Sequence, residues 1–200
     1  MDANDWDQRY RETDLVWSAG PNVFVEQCCR ALPAGRSLDL AAGEGRNAIW
    51  LAELGWESTA VDFSAVALDK ARRIAERRGV TITTVAADLT AYEPTPSGYD
   101  LVVVAYLQLV DEQLTPILQR AAAAVAPGGT FLLISHDVTN LEHGYGGPQH
   151  AAVLTTPHQV VAAIGDRLTV DTAEVVERHV AAPDGEHVAL DTLVLGRRPH

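Results

Sequence analysis

The chain has 200 residues, 47% hydrophobic and 21% charged, with a formal net charge of −12 at pH 7. This length and composition suit one compact domain with a sizeable core, leave no room for a second full domain, and exclude a disordered or fibrous chain. The acidic balance opposes the phosphate neutralisation that drives nucleic-acid affinity, so no nucleic-acid partner is expected.

No apolar run approaches the ~20 residues of a membrane span, and the start lacks the charged-then-apolar pattern of a leader, so a cytoplasmic protein without a membrane partner is expected. In chain order, Trp6, Tyr10, Val16 and Trp17 lie in a polar, acidic stretch, followed by a helix from Pro21. Two readings of these aromatics stand: they cover a site, with residues 1–35 as a helical cap, or they pack the N-terminus onto the core. Cys28 and Cys29 are adjacent on a helical stripe, where a mutual disulfide is strained, and read as reduced thiols. Neither cysteine nor histidine spacing matches a metal signature, so no metal is expected.

From about residue 36, short apolar runs alternate with helical stripes, the pattern of a parallel sheet flanked by helices. Strands are predicted near 36–40, 57–62, 81–86, 100–106 and 130–136, with helices near 46–54, 64–78 and 111–126. In the second of these helices Ser64 caps the start, Ala67, Ala71, Ile74 and Ala75 form the apolar stripe, and Gly79 supplies a left-handed stop. Arg72, Arg73, Arg77 and Arg78 fall on its solvated face. After the fifth strand come a Gly-rich loop, a short helix from Pro157 and runs near 168–180 and 187–196. Pro183-Asp184-Gly185 between those runs signals a hairpin, so the sheet is expected to end antiparallel.

Gly43-Glu44-Gly45-Arg46-Asn47-Ala48 satisfies GxGxxA between a buried strand and a helix. Glycine lets the backbone turn tightly and bring helix N-terminal amides close to a ligand. Asp62, ending the next strand, is spaced to accept the hydroxyls of an adenosine ribose. These features fit a nicotinamide dinucleotide or a methyl donor equally. The acids Glu44 and Asp39 favour a sulfonium cation over a pyrophosphate.

The string Leu38 to Ala52, with its GEGRN core, and Val61-Asp62-Phe63-Ser64 resembles the class I S-adenosylmethionine-dependent methyltransferases, especially the TehB-like and thiopurine-methyltransferase-like branch. Ala87-Asp88-Leu89, Tyr99-Asp100-Leu101-Val102-Val103 and Ala126-Pro127-Gly128-Gly129 extend the likeness. The resemblance implies a single α/β domain over residues 1–200, with a Rossmann-like, mostly parallel seven-stranded sheet in the order 3-2-1-4-5-7-6, strand 7 antiparallel and helices on both faces. It implies S-adenosyl-L-methionine as cofactor and S-adenosyl-L-homocysteine as product. By the same likeness Asp39, Ala41, Ala42, Gly43, Gly45, Arg46 and Asn47 surround the amino acid portion, and Asp62 holds the ribose. Phe63 packs on adenine, Asp88 and Leu89 reach its edge, and Ala105 and Tyr106 border the methyl group. Ala41 stands where glycine is frequent, which is tolerable at a negative φ.

On the acceptor side, His136 is the first candidate base, with Tyr106 beside the methyl group. A structural hydrogen bond is the competing role for His136. His143, Tyr145 and Gln149 lie in a loop read either as a flap or as inert surface; Trp6, Tyr10 and Trp17 close the pocket from the other side if they cover it. The expected activity is methyl transfer to a small-molecule thiol, chalcogen, phenol or amine by a monomer or homodimer. An NAD(P)-dependent oxidoreductase and a non-catalytic S-adenosylmethionine-binding protein are the alternatives.

Overall fold

A computed structural model describes residues 3–12 and 20–200. Its elements are α1 (Ala3–Glu12), α2 (Val23–Cys29), β1 (Arg36–Leu40), α3 (Arg46–Glu53), β2 (Glu57–Asp62), α4 (Ala65–Arg77), β3 (Thr83–Ala86), β4 (Tyr99–Ala105), α5 (Asp111–Ala124), β5 (Val125–His136), α6 (Asn140–His143), α7 (Pro157–Ile164), β6 (Thr169–Ala182) and β7 (Gly185–Arg197). The strands form one sheet in the order β3-β2-β1-β4-β5-β7-β6. β1 to β5 pair in parallel, and β7 runs antiparallel to both β5 and β6. The order is the one the family resemblance implies, and the reversed strand is also the one the hairpin signal predicts.

The central strands read as unbroken apolar runs because both faces are covered. In β4, Val102 and Val104 join Leu38, Leu40, Phe131 and Leu133 beneath residues of α5 and α7. Leu101 and Val103 point the other way, toward Phe24 and Val25 of α2 and Trp50 and Leu51 of α3. The two-residue period of a strand thus divides one sequence between two half-cores. A third cluster packs Ala48 and Ile49 against Leu68, Ala71 and Ala75 of α4.

Local signals set most boundaries. Ser64 Oγ accepts from the Ala67 amide at 3.1 Å, and Gly79 takes φ 72°, so α4 starts and stops as its sequence directs. α2 begins later than Pro21, because the Asn22 side chain accepts from the amides of Phe24 and Val25 and caps the helix itself. Ala182 pairs with Gly185 around a two-residue turn, so the hairpin is tighter than its apolar pattern suggests. Its exposed tip carries no core-facing residues to mark the ladder. Both cysteines are free, and burial pushes the Cys29 thiol up to about 12, which makes it inert at neutral pH. No helix among the described residues is long and apolar enough to cross a membrane.

Candidate active site

β1 lies between β2 and β4, so the chain leaves β1 toward one side of the sheet and returns on the other; ligands of open α/β sheets bind at that switch. A cavity of about 280 Å³ opens there, lined by Ala41, Ala42, Arg46, Asn47, Asp62, Phe63 and Ala105 to Leu109, with Trp6, Tyr10 and Val153 above them. Three successive strand ends and α1 thus supply one wall each.

The glycine loop is held from below by Asp62, which is buried. Its Oδ2 accepts from the Gly43 amide at 2.8 Å and its Oδ1 from the Ser64 amide at 2.9 Å. Burial raises the Asp62 pKa, against the pull of those amides. Each carboxylate oxygen still has a lone pair, so Asp62 can brace the loop and accept further hydrogen bonds. Gly45 has φ 74°, and a Cβ there would stand 2.8 Å from Ala71 Cβ, so only glycine lets α3 approach α4 this closely.

Ala41 departs from the expected geometry, with φ 61° in the left-handed region. A Cβ there costs roughly 1–2 kcal/mol, partly offset by the unfolded-state entropy that alanine removes. Ala41→Gly is therefore expected to stabilise the protein by about 0.5–1 kcal/mol in urea unfolding. A net loss of stability would show that the alanine is unstrained.

Behind the loop, Asp39 is 1% exposed. Its Oδ2 accepts from the Ala48 amide at 3.2 Å, whereas Oδ1 is buried without a hydrogen-bond partner. Burial pushes its pKa up to about 7, although the Ala48 amide and Arg46 work against the rise. The folded value lies above the unfolded value of about 3.9, so the folded chain holds an extra proton between them. The resulting stability is fully present below about pH 4 and is lost as pH rises through about 7. Urea unfolding of the cofactor-free protein at pH 5 and pH 8 should show a larger fall in wild type than in Asp39→Asn, by a margin on the order of 2–4 kcal/mol. Equal pH dependence in the two proteins would overturn the assignment.

Glu44 requires a correction. It is buried, and Lys70 of α4 donates to its Oε1 at 3.2 Å, so its charge is compensated from the helix side. Of the two acids, Asp39 is the one with a buried oxygen left without a hydrogen-bond partner. Arg46 lines the cavity; burial lowers its pKa, while Tyr106 and Asp39 favour the charged form.

At the far end stands Tyr106, also at positive φ, 55°. Its hydroxyl donates to Asp191 Oδ2 at 2.7 Å and accepts from Asn22 Nδ2 at 3.2 Å. Burial and the neighbouring Asp191 raise its pKa, so the phenol stays neutral. His136 does not line the cavity but packs on Tyr106, ring centroids 4.9 Å apart, with Nδ1 3.2 Å from Asp191 Oδ1.

Trp6 and Tyr10 stack at 5.6 Å on the cavity wall; Val16 and Trp17 fall outside the described residues. Other expected positions are not brought to the cavity. Asp88 is exposed and turned onto Thr90, accepting from its amide and hydroxyl at 2.8 Å, and Leu89 is buried in the core beside α5. His143 and Gln149 are exposed, and Tyr145 stacks on His187 of β7 at 3.9 Å. Among the described residues, no group of three His, Cys, Asp or Glu is placed to hold a metal.

Sequence reasoning missed Asn22, Arg178 and Asp191. Only Asp191 left a trace, as an acid inside the apolar run Val188 to Leu195.

Residues 38–129 match a family described as "Methyltransferase domain". The chain is 33% identical over 133 residues to the tRNA 5-carboxymethoxyuridine methyltransferase of Escherichia coli, covering 64% of this chain and 49% of that protein. It is 28% identical over 189 residues to a demethylmenaquinone methyltransferase of Renibacterium salmoninarum, covering 90% and 76%. The chain spans about half the length of the first of these relatives. Among solved structures, the N-methyltransferase NodS of Bradyrhizobium japonicum with S-adenosyl-L-homocysteine superposes with a TM-score of 0.75 at 20% identity, over 100% of both chains. TehB of Haemophilus influenzae superposes with a TM-score of 0.73 at 16% identity, over 96% of this chain and 66% of its own. The domain match begins in β1 and ends before the last strands, and the whole sheet, with its reversed seventh strand, has the fold of these solved methyltransferases.

Proposed function

We propose that the chain transfers a methyl group from S-adenosyl-L-methionine to a small-molecule acceptor by in-line displacement. The observation that carries this reading is the combination of a buried acid on the cavity wall, Asp62, with an unpartnered buried carboxylate oxygen on Asp39 behind the glycine loop. A cofactor bearing an ammonium, a sulfonium and a ribose suits that donor set: Asp39 lies on the side of the amino acid portion and Asp62 takes the ribose. Phe63, 37% exposed, offers its ring to adenine. When bound, S-adenosyl-L-methionine supplies an electrophilic methyl group.

The protein's own residues have three tasks. Ala105 and Tyr106 define the end of the cavity at which the acceptor must align. Trp6 and Tyr10 of α1, on the cavity wall, exclude water. His136 takes a proton where the acceptor carries one; a thiolate or chalcogenide needs no base, a phenol does. The net charge of −12 favours a small molecule over a polyanion, although relatives' names include a tRNA methyltransferase. A cytoplasmic monomer or homodimer is the proposed form.

Calorimetric titration with S-adenosylhomocysteine and with NADH tests the reading. Binding of S-adenosylhomocysteine alone is expected, followed by a gain of one methyl mass on a thiol, phenol, amine or chalcogen oxyanion. NADH binding without a response to S-adenosylhomocysteine would overturn it.

A further inference from the structure

The acceptor side of the cavity is backed by a buried polar junction whose centre is Asp191. This residue stands directly opposite His136 in the antiparallel β5–β7 register. Arg178 pairs with Ala189, two residues along β7, and so shares a sheet face with Asp191 on the diagonal. Asp191 is fully buried, yet three groups converge on its carboxylate. Arg178 Nε donates to Oδ2 at 2.6 Å, the Tyr106 hydroxyl donates to Oδ2 at 2.7 Å, and His136 Nδ1 lies 3.2 Å from Oδ1. Burial alone would raise the Asp191 pKa, but His136, Arg178 and Tyr106 together hold it below the ordinary carboxylate value.

His136 Nδ1 is buried and lies within ion-pair distance of Asp191 Oδ1, the one carboxylate within 4 Å of it among the described residues, without the alignment of a hydrogen bond. The side chain as a whole keeps 12% exposure. A carboxylate has no proton to donate, so an imidazole facing one carries its proton on the near nitrogen. Gly147 fixes the ring from one face: a Cβ there would stand 3.0 Å from His136 Nδ1 and Cε1. Tyr106 holds the other neighbouring surface, its own hydroxyl already committed to Asp191 and Asn22.

We propose that Asp191 is a positioning residue that locks His136 in its Nδ1–H tautomer, leaving Nε2 as the base of the acceptor subsite, and holds Tyr106 as a neutral hydrogen-bonding wall. The inference rests on the methyltransferase reading for its chemistry. When an acceptor X–H is used, its proton passes to Nε2, the electron pair of the X–H bond stays on X as the nucleophile, and the resulting imidazolium faces the Asp191 carboxylate. Arg178 balances that carboxylate at the other oxygen before the proton arrives.

Two readouts test this without a known acceptor. Nitrogen-15 NMR of the histidine side chains, with His136 assigned through His136→Gln, is expected to show the Nδ1–H tautomer in wild type. Asp191→Asn presents an amide that can donate to Nδ1, and is expected to convert His136 to the Nε2–H tautomer. Diethyl pyrocarbonate, which requires a reachable unprotonated nitrogen, is expected to modify His136 at Nε2 in wild type and at least tenfold more slowly in Asp191→Asn. An Nε2–H tautomer in wild type, or unchanged tautomer and labelling in Asp191→Asn, would overturn the proposal. If Asp191→Asn fails to fold, the wild-type tautomer decides alone. Failure to bind S-adenosylhomocysteine would sink the methyltransferase activity while leaving the tautomer result standing, so the two failures are distinguishable.

Discussion

Replacing Asp62 by alanine is expected to weaken S-adenosylhomocysteine binding about 100-fold, equivalent to about 2.7 kcal/mol. The size follows from two effects at one carboxylate. Hydrogen bonds to a charged acceptor contribute about 1.5–3 kcal/mol each, and ribose hydroxyls would lose theirs. The same carboxylate also holds the amides of Gly43 and Ser64, so the cradle itself loosens. Thermal unfolding separates the two: Asp62→Asn retains an acceptor and should melt closer to wild type than Asp62→Ala, while both bind weakly. Unchanged affinity in a folded Asp62→Ala protein would remove the ribose assignment.

Asp191→Ala carries the largest expected effect on stability, a loss of about 3 kcal/mol at neutral pH. Truncating one member of a buried ion pair leaves the partner charge uncompensated, typically at a cost of about 3–5 kcal/mol. Arg178 keeps 23% side-chain exposure and can turn partly toward water, which places the value at the lower end. The Tyr106 hydroxyl has no such escape. Because the folded Asp191 pKa lies below its unfolded value, the stability it contributes is present above about pH 4 and is lost as pH falls through the folded value. Urea unfolding of wild type and Asp191→Ala should therefore differ at pH 7.5 and converge toward acid pH. A constant gap at all pH values would show that the loss is one of packing rather than charge.

Asp39 and Asp191 illustrate opposite solutions for a buried acid. Asp191 is surrounded by donors and stays ionised, whereas Asp39 has one amide donor and an unpartnered oxygen, and its ionisation is opposed by burial. The first serves to organise its neighbours. The second is suited to a positive ligand, which would draw off its proton.

The cofactor half of the site was legible because its parts are local. Strand, glycine turn and helix follow one another within Leu38 to Ala52, and Asp62 closes the next strand, so their meeting at the sheet's switch point follows from parallel pairing alone. Apolar runs likewise announce buried parallel strands, and Pro183-Asp184-Gly185 announces the final hairpin. Two local inferences failed. The charge of Glu44 looked available until Lys70 reached it from α4, and Ala41 took a positive φ that its own sequence does not demand.

The sequence by itself determined the parallel strands flanked by helices, the antiparallel ending and the placing of Asp62 at a strand end, because each is encoded by the period, turn chemistry and length of neighbouring segments; the sheet order followed from the family resemblance. Only the tertiary structure decided the acceptor side. Asn22, Tyr106, His136, Arg178 and Asp191 come from five separate stretches, and no periodicity relates them. Their meeting depends on the β5–β7–β6 register and on the cap of α2, where a one-residue slip would send every strand side chain to the opposite face.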